Sequence, residues 1–230
     1  MKQNLSDLEK IIGLRFKDKD LLQKIFVHRS YLNEHPKFKL DNNERLEFLG
    51  DAVLELIVTE YLYRNYTNPE GELTNWRSAL VKGEMLSKVA AHLKIGDFLL
   101  LSKGEEKSGG KNRELILANT FEALVGAIYL EFGYKDAKKF VETHLINELD
   151  EILEKKLYQD GKSRLQEWSQ ESNGATPNYK IISETGPDHA KVFTVGVSVG
   201  NEILAEGTGS SKQKAEQQAA FAALKKLKLA

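Results

Sequence analysis

The chain has 230 residues, room for two domains, and 41% of them are hydrophobic, enough to bury real cores. It holds 33 basic and 34 acidic residues, so its net charge of −1 neither demands nor forbids a nucleic-acid partner, and the absence of cysteine rules out disulfides, thiolate metal sites and cysteine nucleophiles. No uninterrupted apolar run reaches about 18 residues, and Met1-Lys2-Gln3-Asn4 leads into a polar stretch with no cleavable apolar segment, so neither a membrane span nor a secretory signal is expected and a reducing cytoplasm is the expected compartment.

Residues 1 to about 150 read as helix after helix. Leu5, Leu8, Ile11, Ile12 and Leu14 open an amphipathic segment, and 20–31 make a second. After a polar loop with Pro36, Asn42 or Asn43 caps a long helix running to about Tyr66, because a short polar side chain can satisfy its orphan N–H groups. The loop Thr67-Asn68-Pro69-Glu70-Gly71 stops it. Residues 73–93, 115–132 and 135–156 are further helices, and 102–111 is a Gly- and charge-rich loop. The polar segment 155–161 is the expected linker between domains 1–154 and 162–230. Beyond it the period changes. A helix over 163–173 is followed by strands at 179–184, 192–199 and 202–207, and by a helix from Ser211 to Leu227. From 162 onward there are 9 basic and 7 acidic residues, against 24 and 27 before, so any RNA site must come from local clustering.

The segment Asn43-Glu44-Arg45-Leu46-Glu47-Phe48-Leu49-Gly50-Asp51 carries the chemistry. At about 100° per residue, Glu44, Glu47 and Asp51 fall within about 60° of one another. Leu46, Leu49, Val53, Leu56 and Ile57 fall opposite and are expected in the core. Carboxylates on one stripe repel by a few tenths of a kcal/mol per pair, roughly, and a hard divalent cation reverses that sign. An acidic stripe is more often solvated surface, and Glu55 lies on the same stripe. A second acidic element comes from the helix around Glu122. A lone glutamate in an apolar, small-residue segment needs a partner or an ion, and Asn119 sits one turn before it. Glu70, in its Pro-Glu-Gly context, reads from spacing alone as a solvated turn residue.

The nine residues from Asn43 to Asp51 resemble the signature of ribonuclease III. The likeness extends to Phe26-Val27-His28-Arg29-Ser30, to Lys107-Ser108-Gly109-Gly110, to the helix from Ile116 to Gly126, and to the C-terminal domain. It implies an all-helical, homodimeric catalytic domain followed by a small α-β-β-β-α domain. It implies magnesium-dependent hydrolysis of double-stranded RNA, with Mn2+ able to substitute. Each subunit would cut one strand, leaving 5′-phosphates and short 3′ overhangs, in the processing of rRNA, mRNA and other precursors. By motif position, Glu47, Asp51 and Glu122 match metal-binding carboxylates. Glu44 matches the first acidic residue of the signature and Glu70 an acidic residue near the RNA path and dimer interface, both in supporting catalytic roles. Asn119 occupies the fourth metal position, where the family usually has Asp. His28 is expected as a packing or hydrogen-bonding residue.

The C-terminal order resembles a double-stranded RNA-binding domain, which reads shape, 2′-hydroxyls and phosphates. Gln166 and Glu167 match minor-groove contacts of its first helix, and His189 matches the loop entering the next minor groove. Ser211, Lys212 and Lys214 match the helix N-terminus that straddles phosphates. Gln213 and Glu216 stand where basic residues are common, so modest, salt-sensitive affinity is expected. Lys225, Lys226 and Lys228 read as a solvated helix end, and Phe193, Ala219, Ala220, Ala223 and Leu224 as core. The alternative from another class is a double-stranded RNA-binding protein whose cleavage is weakened or lost through Asn119.

Overall fold

The structure is a computed structural model that describes residues 4–156, 158, 161–187, 191–200 and 202–229. The chain divides into two compact units, Met1–Tyr158 and Gln159–Ala230.

In the first unit, α1 spans Leu5–Ile12, α2 Lys19–Lys24, α3 Arg29–Glu34, α4 Glu44–Asn65, α5 Glu70–Val81 and α6 Gly83–His92. Then come α7 at Lys103–Lys107, α8 at Glu114–Phe132, α9 at Tyr134–His144 and α10 at Leu149–Glu154, with short 3-10 turns at Ile95–Phe98, Gly110–Asn112 and Ile146–Glu148. The centre is α8, buried from Ile116 to Ile128 except at the half-buried Asn119 and Glu122, and packed chiefly against α4 and α6. Its length and apolar composition would also suit a membrane span. Here they are accounted for by a helix that the core surrounds on most sides.

Several local expectations are corrected. The segment 20–31 is two short helices, because Val27 leaves the helix to pair with Leu100 and His28 then caps α3. The segment 73–93 breaks at Lys82, whose extended backbone separates α5 from α6. Asn43 sits at the N-cap of α4 but makes no side-chain cap bond. Its amide instead donates to the Ile25 carbonyl at 2.9 Å, while Asn42 Oδ1 accepts from the Glu44 N–H at 3.2 Å. Leu56 is 56% exposed, not core.

The second unit is α11 (Gly161–Asn173), an antiparallel sheet of β1 (Asn178–Thr185), β2 (Val192–Val199) and β3 (Glu202–Gly209) in that order, and α12 (Lys212–Lys226). Its small core joins Leu165, Val197, Ala219, Ala220, Ala223 and Leu224. The sheet meets α12 at near backbone contact: a Cβ on Gly207 would lie 2.1 Å from the Ala219 nitrogen.

Candidate active site

The acidic residues meet because two helices cross with no side chains between them. A Cβ on Gly50 of α4 would lie 1.8 Å from the Glu122 carbonyl oxygen of α8. A Cβ on Gly126 would lie 2.4 Å from the Leu46 carbonyl oxygen. Only glycine on both helices permits that approach. The crossing sets Glu47 and Asp51 of α4 beside Asn119 and Glu122 of α8.

The electrostatics report the proximity. Burial first, then Asp51 and Glu47, pushes the Glu122 carboxyl up to about 7. Burial also raises Glu47. The Asn119 side chain opposes this by hydrogen bonding to the carboxylate, while Glu44 and Asp51 add to the rise. An aspartate at 119 would lack that amide donor. Glu44 lies 3.8 Å from Arg29. Among the described residues no Lys or Arg pairs with Glu47, Asp51 or Glu122, and no three carboxylate or histidine side chains converge into a ready-made metal cage. The donor chemistry nonetheless fits a hard divalent ion: carboxylate oxygens, an amide, and negative charge that no protein cation balances.

Beside the cluster a pocket of about 420 Å³ is lined by His28, Arg29, Glu44, Glu47 and Asn119, among others. Asp51 and Glu122 adjoin Glu47 but do not line it. Glu55, ambiguous by spacing, is set apart by Arg77, whose Nε lies 3.1 Å from its carboxylate. Glu70 stands elsewhere in the chain. It lines a different cavity of about 640 Å³ with Tyr63, Tyr66, Leu73 and Arg77, and accepts a bond from Thr74 Oγ1 at 3.2 Å. Sequence reasoning did not assign Arg29 to the site, although it lies inside the matched Phe-Val-His-Arg-Ser segment.

In the second unit, Gln166 and Glu167 are exposed on α11. Ser211 caps α12, its Oγ accepting the Lys214 N–H at 3.2 Å, and Lys212 and Lys214 are exposed on the first turn. Glu216 pairs with Lys162 at 2.7 Å, so it ties α12 to α11 rather than facing phosphate. His189 lies outside the described residues.

The chain thus joins a helical unit holding a carboxylate cluster without a protein cation to an α-β-β-β-α unit. Residues 18–149 match the family model described as ribonuclease-III-like, and 162–227 match the double-stranded RNA binding motif. The chain belongs to the ribonuclease III family. It is 43% identical to a Ribonuclease 3 of Treponema denticola over 98% of this chain and 92% of that protein. It is 45% identical to one of Oceanobacillus iheyensis over 96% and 97%. A solved nuclease domain of ribonuclease III from Campylobacter jejuni, described as flexible in a region involved in dimer formation, aligns with TM-score 0.56 and 43% identity over 61% of this chain and 98% of that one.

Proposed function

We propose that this chain is a magnesium-dependent endoribonuclease of double-stranded RNA, with Mn2+ able to substitute. Residues 1–154 would be catalytic, 155–161 the linker and 162–230 the RNA-binding domain. The observation that carries this reading is the set of Glu47, Asp51 and Glu122, brought together by the glycine crossing and left without a protein cation. With Asn119 they would hold the metal, which when bound supplies a water of lowered pKa and neutralises phosphate charge. Asn119 steadies Glu47 through its amide, and the first turn of α12 binds phosphates through Lys212 and Lys214. Glu44 and Glu70 would play accessory roles, as would Gln166, Glu167 and His189 at the minor groove. Products would carry 5′-phosphates and short 3′ overhangs, and the work would be processing of rRNA and mRNA precursors in the cytoplasm.

The test is a long RNA duplex with and without magnesium. Short duplexes are expected only with magnesium; RNA that is retarded but intact in both lanes would mark a binder, not a nuclease. In the same assay Asn119→Asp, which adds a charged ligand, is expected to reach half-maximal cleavage at about tenfold lower magnesium. Superimposable curves would show that the charge at 119 does not matter.

The outer face of α4 supports a homodimer. Phe48, Leu56 and Tyr63 are 82%, 56% and 79% exposed and share a stripe with Ala52 and Thr59. A stripe this apolar, edged by the Arg77–Glu55 pair, suits a second copy of itself, and the dimer-forming region of the Campylobacter nuclease domain supports that occupant. Phe48→Glu is expected to convert the protein from dimer to monomer in sedimentation velocity at micromolar concentration. An unchanged dimer would move the interface elsewhere.

A further inference from the structure

His28 presents a fixed hydrogen-bond donor to the pocket beside the carboxylates. Its Nδ1 lies 3.3 Å from the Ser30 backbone nitrogen and 2.8 Å from Ser30 Oγ. A backbone N–H can only donate, so Nδ1 accepts. With no proton on Nδ1 to give, the Ser30 hydroxyl donates to it as well, while that oxygen accepts from the Ser102 N–H at 3.1 Å. A neutral imidazole whose Nδ1 accepts carries its proton on Nε2. Nε2 has no hydrogen-bond partner among the described residues and is not sealed from solvent. The residue lines the same pocket as Arg29, Glu44, Glu47 and Asn119. Partial burial holds the ring below its ordinary pKa, against the pull of Glu105, in keeping with the unprotonated Nδ1.

We propose that His28 contacts the substrate: its Nε2–H donates to a phosphate oxygen of the RNA strand seated in this pocket, with Arg29 as the neighbouring cation. This rests on the endonuclease reading and adds to it a residue that holds the strand beside the carboxylates. A duplex shows phosphates and 2′-hydroxyls on its outside, and a donor next to a guanidinium suits an anionic oxygen rather than a base edge. The proton stays on Nε2 throughout. The fixed donor keeps a phosphate oxygen in place while negative charge grows on it. The Ser30 backbone N–H sets the tautomer, and the chain Ser102 N–H, Ser30 Oγ–H, His28 Nδ1 helps hold the ring in place, which makes Ser30 a positioning residue.

Single-turnover cleavage of a short RNA duplex by the full chain, at saturating protein with magnesium, tests this. His28→Gln keeps an N–H near the Nε2 position and His28→Leu removes it. His28→Leu is expected to lose about a hundredfold in rate. His28→Gln should recover most of that loss, with melting temperature unchanged in both. Ser30→Ala, which keeps the backbone N–H on Nδ1 but removes the hydroxyl that helps hold the ring, is expected to lose about tenfold. 15N spectra of the histidine rings in the unsubstituted chain should show the Nε2–H tautomer at His28. A leucine variant as fast as the parent, a folded glutamine variant as slow as leucine, or an Nδ1–H tautomer would each overturn the role. Failure of the parent chain to cut the duplex would instead overturn the endonuclease reading.

Discussion

Gly50→Ala is expected to destabilise the catalytic unit by about 3 kcal/mol or more, the upper range of overpacking, and to abolish cleavage. The added methyl group would sit 1.8 Å from the Glu122 carbonyl oxygen, 2.6 Å from its carbon and 2.9 Å from the Gly126 nitrogen. All three are backbone atoms of the central helix, so no rotamer change relieves the clash and α4 must part from α8. That movement opens the main helix packing of the unit and draws Glu47 and Asp51 away from Glu122 together. Gly71→Ala is the control. Nothing lies within 4 Å of its Cβ position, and alanine within α5 is expected to stabilise by about 0.5–1 kcal/mol. Thermal melts followed by circular dichroism separate the two. Equal melting temperatures for Gly50→Ala and the parent would refute a crossing this close.

The second large effect is at Glu122. Glu122→Gln is expected to lower cleavage by about a thousandfold or more, because a ligand that concentrates metal charge on the phosphate is worth several kcal/mol. Its effect on stability runs the other way. The folded pKa of about 7 lies above the ordinary 4.5, so the folded state prefers the protonated acid. Below pH 4.5 the acid is protonated both folded and unfolded, and it contributes no difference. As pH rises through 7 the folded state comes to carry a desolvated carboxylate that repels Asp51 and Glu47, and stability falls. Each pKa unit is worth about 1.4 kcal/mol. Discounted for partial exposure, the glutamine variant should gain about 1–2 kcal/mol above pH 7 in EDTA, a gain that fades toward pH 4.5. Melting temperatures from pH 4.5 to 9 measure it, and a difference independent of pH would remove burial and repulsion as its cause.

The helical order of the first unit and the α-β-β-β-α order of the second were legible because both rest on local periods. Element limits were less so where tertiary contacts intervene. Val27 leaves its helix for a bridge to Leu100, more than 70 residues on, and no local pattern announces that. Leu56 lies at the edge of the apolar arc of α4, where spacing reads as core, yet it stands on the exposed apolar stripe. Asn43 reads as a cap, and its side chain is instead spent on the Ile25 carbonyl.

The sequence by itself determined that one face of α4 carries Glu44, Glu47 and Asp51, and that Glu122 stands alone in an apolar helix. Both follow from the turn of a helix, a property of neighbouring residues. Tertiary structure decided which carboxylates act together. Glu55 shares the stripe but is neutralised by Arg77. Glu70 faces another cavity, and Glu122 reaches Glu47 only because two glycines let their helices touch. The His28 ring is held in part in the same way, by an N–H from Ser102 that bonds the Ser30 hydroxyl beside Nδ1. A carboxylate's charge partners depend on groups within a few ångströms, and those groups are brought close by packing between residues far apart in the chain.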